Sequence, residues 1–314
     1  MNPKFMSMKF CSIDLVTAST NNHREVSETP QVSLKVKRGA KEVALDLVAS
    51  RGSPRPDVLS STALRVMKIG LEPGLGSGYE NGAKSAACIS VDFDVTSGER
   101  YPWNHDGTSA LIRLSEEHGI PLTWAICGKT AEEDRKAYES ILSSSVKQEI
   151  GVHTYSHIYA DTTSEELYRQ DIERCIDVLG IASRPRTFVF PKNREGHFGL
   201  LKSLGFISYR GARRVIGAPS YNSGLWNIRP VYYVDGKSLQ AVGLIRKFVD
   251  ACIARSAVFH LWTHPWSLAI DGKVDAMVQE VMEPAFAYME EKSKQGIMNL
   301  TTMGNLSGFL GPSA

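Results

Sequence analysis

Hydrophobic positions are unevenly organised along this chain. Up to residue 83, apolar snatches such as 43–48 lack a sustained period, and Ser, Thr, Asn, Pro and Gly are frequent. Residues 1–83 are therefore expected to form a poorly structured or irregular extension, and 84–314 the folded domain. From Ala86 onward the pattern becomes regular. The apolar run 86–91 breaks into Asp92 and Asp94, which predicts a buried strand ending in carboxylates. Helical spacing over 108–118 stops at Gly119, and 121–127 returns to strand. Thr130 with Glu133 has the form of a capping box opening a second helix. A strand at 149–152 follows, then a helix opened by Thr163 and Glu166 and closed by Gly180, and a strand at 187–190. The alternation continues with a short helix over 197–204, a strand at 206–209, a less regular stretch at 226–234, and a helix over 239–254. Strand 257–262, helix 274–291 and strand 296–300 complete it. About seven strands separated by helices predict an α/β fold, a parallel sheet closed into a distorted (β/α) barrel, with an open doubly wound sheet as the alternative.

Composition narrows the picture. Lys and Arg total 36 against 34 Asp and Glu in 314 residues, a balance that excludes nucleic acid or anionic lipid bound through bulk charge. No segment approaches the roughly 18 uncharged apolar residues that span a bilayer, and Lys4, Lys9 and Asp14 interrupt any leader-like run, so a cytoplasmic location is expected. Cys11, Cys88, Cys127, Cys175 and Cys252 are scattered and contain no Cys-x-x-Cys; they read as buried thiols of a reducing compartment. Gly70-Leu-Glu-Pro-Gly-Leu-Gly-Ser-Gly78 has the glycines of a phosphate loop but no Gly-Lys-Ser/Thr, and reads as a flexible linker. Oligomeric state leaves no trace in the sequence.

In a parallel βα array the reactive groups lie at the carboxyl ends of the strands. Here those ends carry Asp92 and Asp94, His153 and His157, Pro191-Lys-Asn193, Arg210 and His264. Ionisable groups in such numbers at one rim cost desolvation unless they bind something. Alone, Asp-x-Asp is more often a pair of caps for the following helix or loop, and His-x-x-x-His is as often solvated or structural as ligating. Together, two imidazoles and a carboxylate around an open position suit Zn(II), Co(II), Fe(II) or Mn(II). His260 lies deeper in its strand and reads as a core histidine, and His105 as an ordinary loop residue.

Taken in order, Ser90-Val-Asp-Phe-Asp94, His153-Thr-Tyr-Ser-His157, Phe188-Val-Phe-Pro191 and His260-Leu-Trp-Thr-His-Pro265 resemble the polysaccharide deacetylase family, of the NodB-homology, carbohydrate esterase family 4 type, over about 85–302. The resemblance implies a distorted seven-stranded (β/α) barrel, one divalent metal (zinc first, with cobalt, iron or manganese as alternatives), and hydrolysis of an N-acetyl or similar amide on an amino sugar or saccharide by metal-activated water. Residue by residue it makes Asp92 the general base, Asp94, His153 and His157 the metal ligands, and His264 the general acid. Tyr155, Pro191, Lys192, Asn193, Arg210 and Trp266 would then line a sugar-sized cleft. The chain departs from the family's pattern in three ways. Phe93 separates the two aspartates, the usual Arg-x-Pro-x-Gly is replaced by Phe188-Val-Phe-Pro-Lys-Asn193, and a secretion signal is missing. Arg210 is the candidate substitute for the arginine that orients the base. The alternatives are an amidohydrolase acting on a small non-sugar amide, a formamide or a cyclic ureide or imide, and a carbohydrate-binding pseudoenzyme. Retention of base, three ligands and acid argues against the last.

Overall fold

The computed structural model describes residues 61–311 apart from 97, 99, 182 and 183. Ten strands form its main sheet: β1 (Ser85–Phe93), β2 (Thr123–Ile126), β3 (Glu149–Val152), β4 (Thr187–Val189), β5 (Ser208–Arg210), β6 (Ser220–Asn222), β7 (Leu225–Asn227), β8 (Tyr232–Tyr233), β9 (Val258–Thr263) and β10 (Met298–Leu300). The order is β8-β9-β1-β2-β3-β4-β5-β7-β6, with β10 beside β1. Only β6 and β7 pair antiparallel. The result is the expected α/β fold, a distorted barrel in the form of a curled, parallel-rich half-barrel whose strand order does not close and which has more strands than the seven counted from the sequence. The extra strands come largely from 220–234, where short segments carry too few residues to show a period of two.

β1 organises the molecule. All nine of its residues are buried. One of its edges pairs with β9 over Ala86–Val91, while β10 runs beside Ser85–Ala87 and β2 beside Ser90–Phe93. Its side chains alternate between two environments. Ala87, Ile89, Val91 and Phe93 belong to the main apolar core with the surrounding helices. Ala86 and Cys88 join a smaller cluster with Tyr79, Ile228, Val258, Met303 and Leu306. Above that cluster the same parity brings Ser90 and Asp92, so one face of one strand passes from apolar to polar toward its carboxyl end.

The helices follow local signals with small displacements. α1 (Asn104–His118) ends where Gly119 takes the left-handed conformation, and α2 (Glu165–Leu179) ends likewise at Gly180. The cap of α2 is Ser164, whose side chain accepts from the Leu167 amide, one residue beyond the expected Thr163. The box at Thr130 does not open a helix: Gly128–Glu133 is already helical there, and Asp134 caps the next helix by accepting from the Ala137 amide.

Residues 61–83 are built into the domain rather than forming the irregular extension expected of them. Leu64 and Ile69 enter the main core, Gly70–Leu71 pairs in parallel with Val215–Ile216, and the Tyr79 hydroxyl donates to the Ser256 carbonyl at 3.0 Å. Gly74 is a packing requirement: a Cβ there would lie 1.7 Å from the Arg255 carbonyl oxygen. Residues 1–60, the rest of that expected extension, lie outside the described residues. Cys88, Cys127, Cys175 and Cys252 are free and buried, and among the described residues no helix is long and apolar enough to cross a membrane.

Candidate metal centre

The site assembles at the carboxyl rim of the sheet. Asp92, penultimate in β1 and 3% exposed, receives both terminal nitrogens of Arg210, the last residue of β5, at 2.6 and 2.5 Å. Burial alone would raise the Asp92 carboxyl, but the Arg210 guanidinium overrides it and holds the group well below the ordinary carboxylate range. Arg210 also stacks over Trp262, its guanidinium carbon 4.2 Å from the ring centre. Asp94 lies just beyond β1 and accepts from the Trp266 indole N–H at 3.1 Å.

His153 directly follows β3. Its Nδ1 sits 2.7 Å from the Val189 carbonyl, which can only accept, so Nδ1 carries the proton and Nε2 keeps its lone pair. Burial pushes the ring's pKa down to about 4, which leaves it neutral near pH 7. His157 is returned to the same place by a tight loop in which Thr154 and His157 both have positive φ, 61° and 57°. Asp171 clamps that loop by accepting from the Tyr155 and Ser156 amides at 2.6 and 3.1 Å. The two rings stand 5.0 Å apart, and His157 Nε2 is 3.5 Å from Asp94 Oδ2. Burial lowers His157 as well.

One ligand atom from each of Asp94, His153 and His157 lies within 4.8 Å of the other two. Two neutral imidazole nitrogens and one carboxylate oxygen, with one imidazole oriented by a backbone carbonyl, form a donor set suited to a borderline divalent ion.

His264 follows β9. Its Nε2 is 3.7 Å from an oxygen of Asp92 and 3.7 Å from an oxygen of Asp94, and its Nδ1 is 3.1 Å from the Tyr233 hydroxyl. The turn it opens is seated by α1: a Cβ at Gly107 would come within 2.2 Å of the Pro265 carbonyl oxygen.

These groups face a cavity of about 240 Å³, whose walls also include Lys192, Asn193, Tyr233, Trp262 and Trp266. Lys192 and Asn193 are both held at positive φ, 53° and 54°, and Asn193 Oδ1 is buried with no hydrogen-bond partner among the described residues. A second cavity of about 460 Å³ adjoins it and shares Asp94 and His157 as walls.

Two residues expected in the cleft are elsewhere. Tyr155 turns away: its hydroxyl donates to Glu132 at 2.5 Å and accepts from Arg174 at 2.6 Å. Pro191 is buried at the start of a one-turn 3₁₀ helix, Pro191–Asn193. Arg210 reaches the cavity, but both its terminal nitrogens are committed to Asp92. His105 is on α1 rather than a loop, facing Asp134 at 3.3 Å. Tyr233 and Trp262 were not foreseen as wall residues. Trp262 shares the even parity of His260 and His264, a usable signal, whereas Tyr233 sits in the irregular stretch and carries none.

Residues 81–195 match the sequence model of the polysaccharide deacetylase family, hydrolases that act on the amide bonds of N-acetyl groups. No curated protein matches the sequence. Among solved structures, a candidate polysaccharide deacetylase from Mycobacterium smegmatis is similar over 76% of this chain and 94% of its own, with 16% identity and a TM-score of 0.55. A second candidate polysaccharide deacetylase, from Pseudomonas aeruginosa PAO1, is similar over 72% and 91%, with 12% identity and a TM-score of 0.56. The Puue allantoinase is similar over 72% and 90%, with 13% identity and a TM-score of 0.53. At these identities the structures share the fold.

Proposed function

We propose that this chain is a metal-dependent hydrolase that removes an N-acetyl or similar acyl group from an amino sugar or saccharide, and that 84–314 contains the whole of its catalytic apparatus. The observation that carries this reading is the convergence on one cavity of an arginine-paired carboxylate, a three-donor ligand set and a histidine facing both. Asp94, His153 and His157 would hold one divalent ion, zinc being the simplest choice, and the ion would supply Lewis acidity and an acidified water.

The chain's own residues account for the proton movements. Asp92 is kept ionised by Arg210 and accepts a proton from the attacking water. Two hydrogen bonds from Arg210 make it a weak base but fix its position, and orientation is the larger share of such catalysis. His264 presents Nε2 between Asp92 and Asp94, within reach of a departing amine. Its Nδ1 is held by Tyr233, whose hydroxyl burial pushes up to about 12, so that it stays protonated. Loss of the amide nitrogen requires a proton, and Nε2 of His264 is placed to give it. Trp262 and Trp266 add apolar surface to the cavity wall; Trp262 already carries Arg210 over its ring and Tyr233 with ring centres 4.2 Å apart, so it shapes the cavity rather than stacking on a sugar.

A second reading rests on size. The cavity of about 240 Å³ is below the roughly 300–1,000 Å³ of sites that enclose drug-sized ligands. Taken alone it has room for a small non-sugar amide or cyclic ureide, whereas a saccharide would also occupy the adjoining cavity of about 460 Å³, which shares Asp94 and His157.

Incubating the zinc-loaded protein with a tetramer of N-acetylglucosamine and, separately, with small amides and ureides should release acetate from the saccharide. Turnover of a ureide with no acetate from the saccharide would transfer the assignment to the second reading. The acid role has its own check. His264→Ala should lose about 10²- to 10⁴-fold on the acetamido sugar and far less on an activated aryl acetate, whose leaving group needs no proton. Equal losses on both would remove His264 from that role.

A further inference from the structure

Behind the cavity, out of contact with it, His260 and Ser90 continue the line of hydrogen bonds that ends on Asp92. His260 is on β9 and fully buried; its Nδ1 is 3.0 Å from the Ile228 carbonyl and its Nε2 is 2.9 Å from Ser90 Oγ. Ser90 Oγ in turn is 3.1 Å from Nη1 of Arg210, the nitrogen that also donates to Asp92 Oδ1.

The polarity of this line is fixed at its two ends. The Ile228 carbonyl can only accept, so Nδ1 of His260 carries a proton. Burial, followed by the nearby Arg210 charge, pushes the ring's pKa down to about 3, so it is neutral at working pH and Nε2 is an acceptor. The Ser90 hydroxyl therefore points its proton at His260 and turns its lone pairs toward Arg210, which can only donate. Arg210 needs this third hold. Its Nε–H is buried with no partner among the described residues, and stacking on Trp262 fixes the plane of the guanidinium but not its rotation within that plane.

We propose that His260 and Ser90 are positioning residues of the hydrolysis, acting through Arg210 to set the direction in which Asp92 presents its carboxylate to the cavity. This rests on Asp92 being the proton acceptor, as argued above. Neither residue lines the cavity. The relay accounts for a buried histidine whose two nitrogens are both engaged, which apolar packing alone would not require.

The test uses the zinc-loaded full chain with the N-acetylglucosamine tetramer as probe. Ser90→Ala removes one oxygen atom and should lower kcat by about 10- to 100-fold with little change in KM or zinc content, the cost of a slightly misdirected group. Ser90→Thr, which restores the hydroxyl, should recover most of it. In an Arg210→Lys background, Ser90→Ala should cost less than about threefold, because residues acting in one network are not additive. The same loss in both backgrounds, or a kcat within about twofold of wild type for Ser90→Ala alone, would overturn the proposal. Nitrogen-15 NMR of His260 gives a readout independent of turnover: it should report the Nδ1–H tautomer, neutral from about pH 5 to 8. An Nε2–H tautomer breaks the relay even if acetate is released. A wild type with the expected tautomer but no acetate release would instead fail the hydrolase reading.

Discussion

The two ends of the sheet each hold a carboxylate bound by hydrogen bonds, and they differ in what the carboxylate has left to offer. At the amino end, Glu149 opens β3 and accepts from Thr187 Oγ1 at 2.6 Å, from Thr123 Oγ1 at 2.8 Å and from the Gly304 amide at 3.0 Å. Three neutral donors from three elements surround it, and it ties the helix Met303–Leu310 to the sheet. At the carboxyl end, Asp92 has one cationic partner, Arg210, and an open side on a cavity shared with Asp94, His153, His157 and His264. A partnered, largely buried carboxylate is therefore no sign of chemistry in itself. What marks Asp92 is a free side facing other unsaturated donors and acceptors.

That contrast can be broken experimentally, and the largest expected effect lies at the carboxyl rim. His153→Ala combined with His157→Ala should abolish stoichiometric zinc in elemental analysis, and turnover should fall by at least about 10³-fold, since the activated water goes with the metal. Undiminished metal in the double variant would remove these residues from the ligand set.

The sharper comparison sets Asp92→Asn against Glu149→Gln. The first should retain zinc and fold while losing about 10²- to 10⁴-fold in kcat. The second should leave kcat untouched while lowering unfolding free energy by about 1–3 kcal/mol in urea titration. Loss of kcat at Glu149 without loss of stability would erase the distinction between the two ends.

The smallest effect belongs to His260, which lies between them. Its folded pKa of about 3 is depressed from an unfolded value near 6.5. The unfolded chain therefore takes up a proton below about pH 6.5 that the folded chain refuses. Its contribution is complete above that pH and declines as pH falls toward 3, by up to about 1.4 kcal/mol per pH unit. Urea unfolding at pH 7 and pH 5 should show this slope in wild type and its reduction in His260→Gln. Equal slopes would contradict the buried, neutral histidine.

Much of the rim was legible in the sequence because each apolar run ends abruptly in an ionisable residue, and a parallel strand places that residue at the carboxyl end. Asp92, Asp94, His153, His157 and His264 all come to one place for this reason. Arg210 was legible as a rim residue, but its pairing with Asp92 was expected only through the family resemblance, since β5 and β1 are separated by more than a hundred positions and no local pattern joins them. Tyr155 misled because its spacing within His153-Thr-Tyr-Ser-His157 says nothing about direction. Thr154 and His157 at positive φ twist the loop and turn the tyrosine to Glu132 and Arg174. The anchoring of 61–83 was invisible because it depends on single contacts, Gly74 against Arg255 and two residues of strand, rather than on any periodic signal.

The placement of β1 also has a consequence in time. Its neighbours β9 and β10 come from the far end of the chain, at Val258–Thr263 and Met298–Leu300. During synthesis at about 5–20 residues per second, the strand bearing Asp92 would wait roughly 10–40 s for the last of them. Until residue 263 has been made, the edge of β1 that β9 covers has no partner, and a strand of nine residues that is apolar on one face is prone to pair with another chain. Nascent chains stalled before residue 258 should therefore be cleaved by protease across 85–93, and chains extended past 300 should be protected there. The strand that supplies the chemistry is thus among the last to be secured, and the newborn protein depends on what shields that edge.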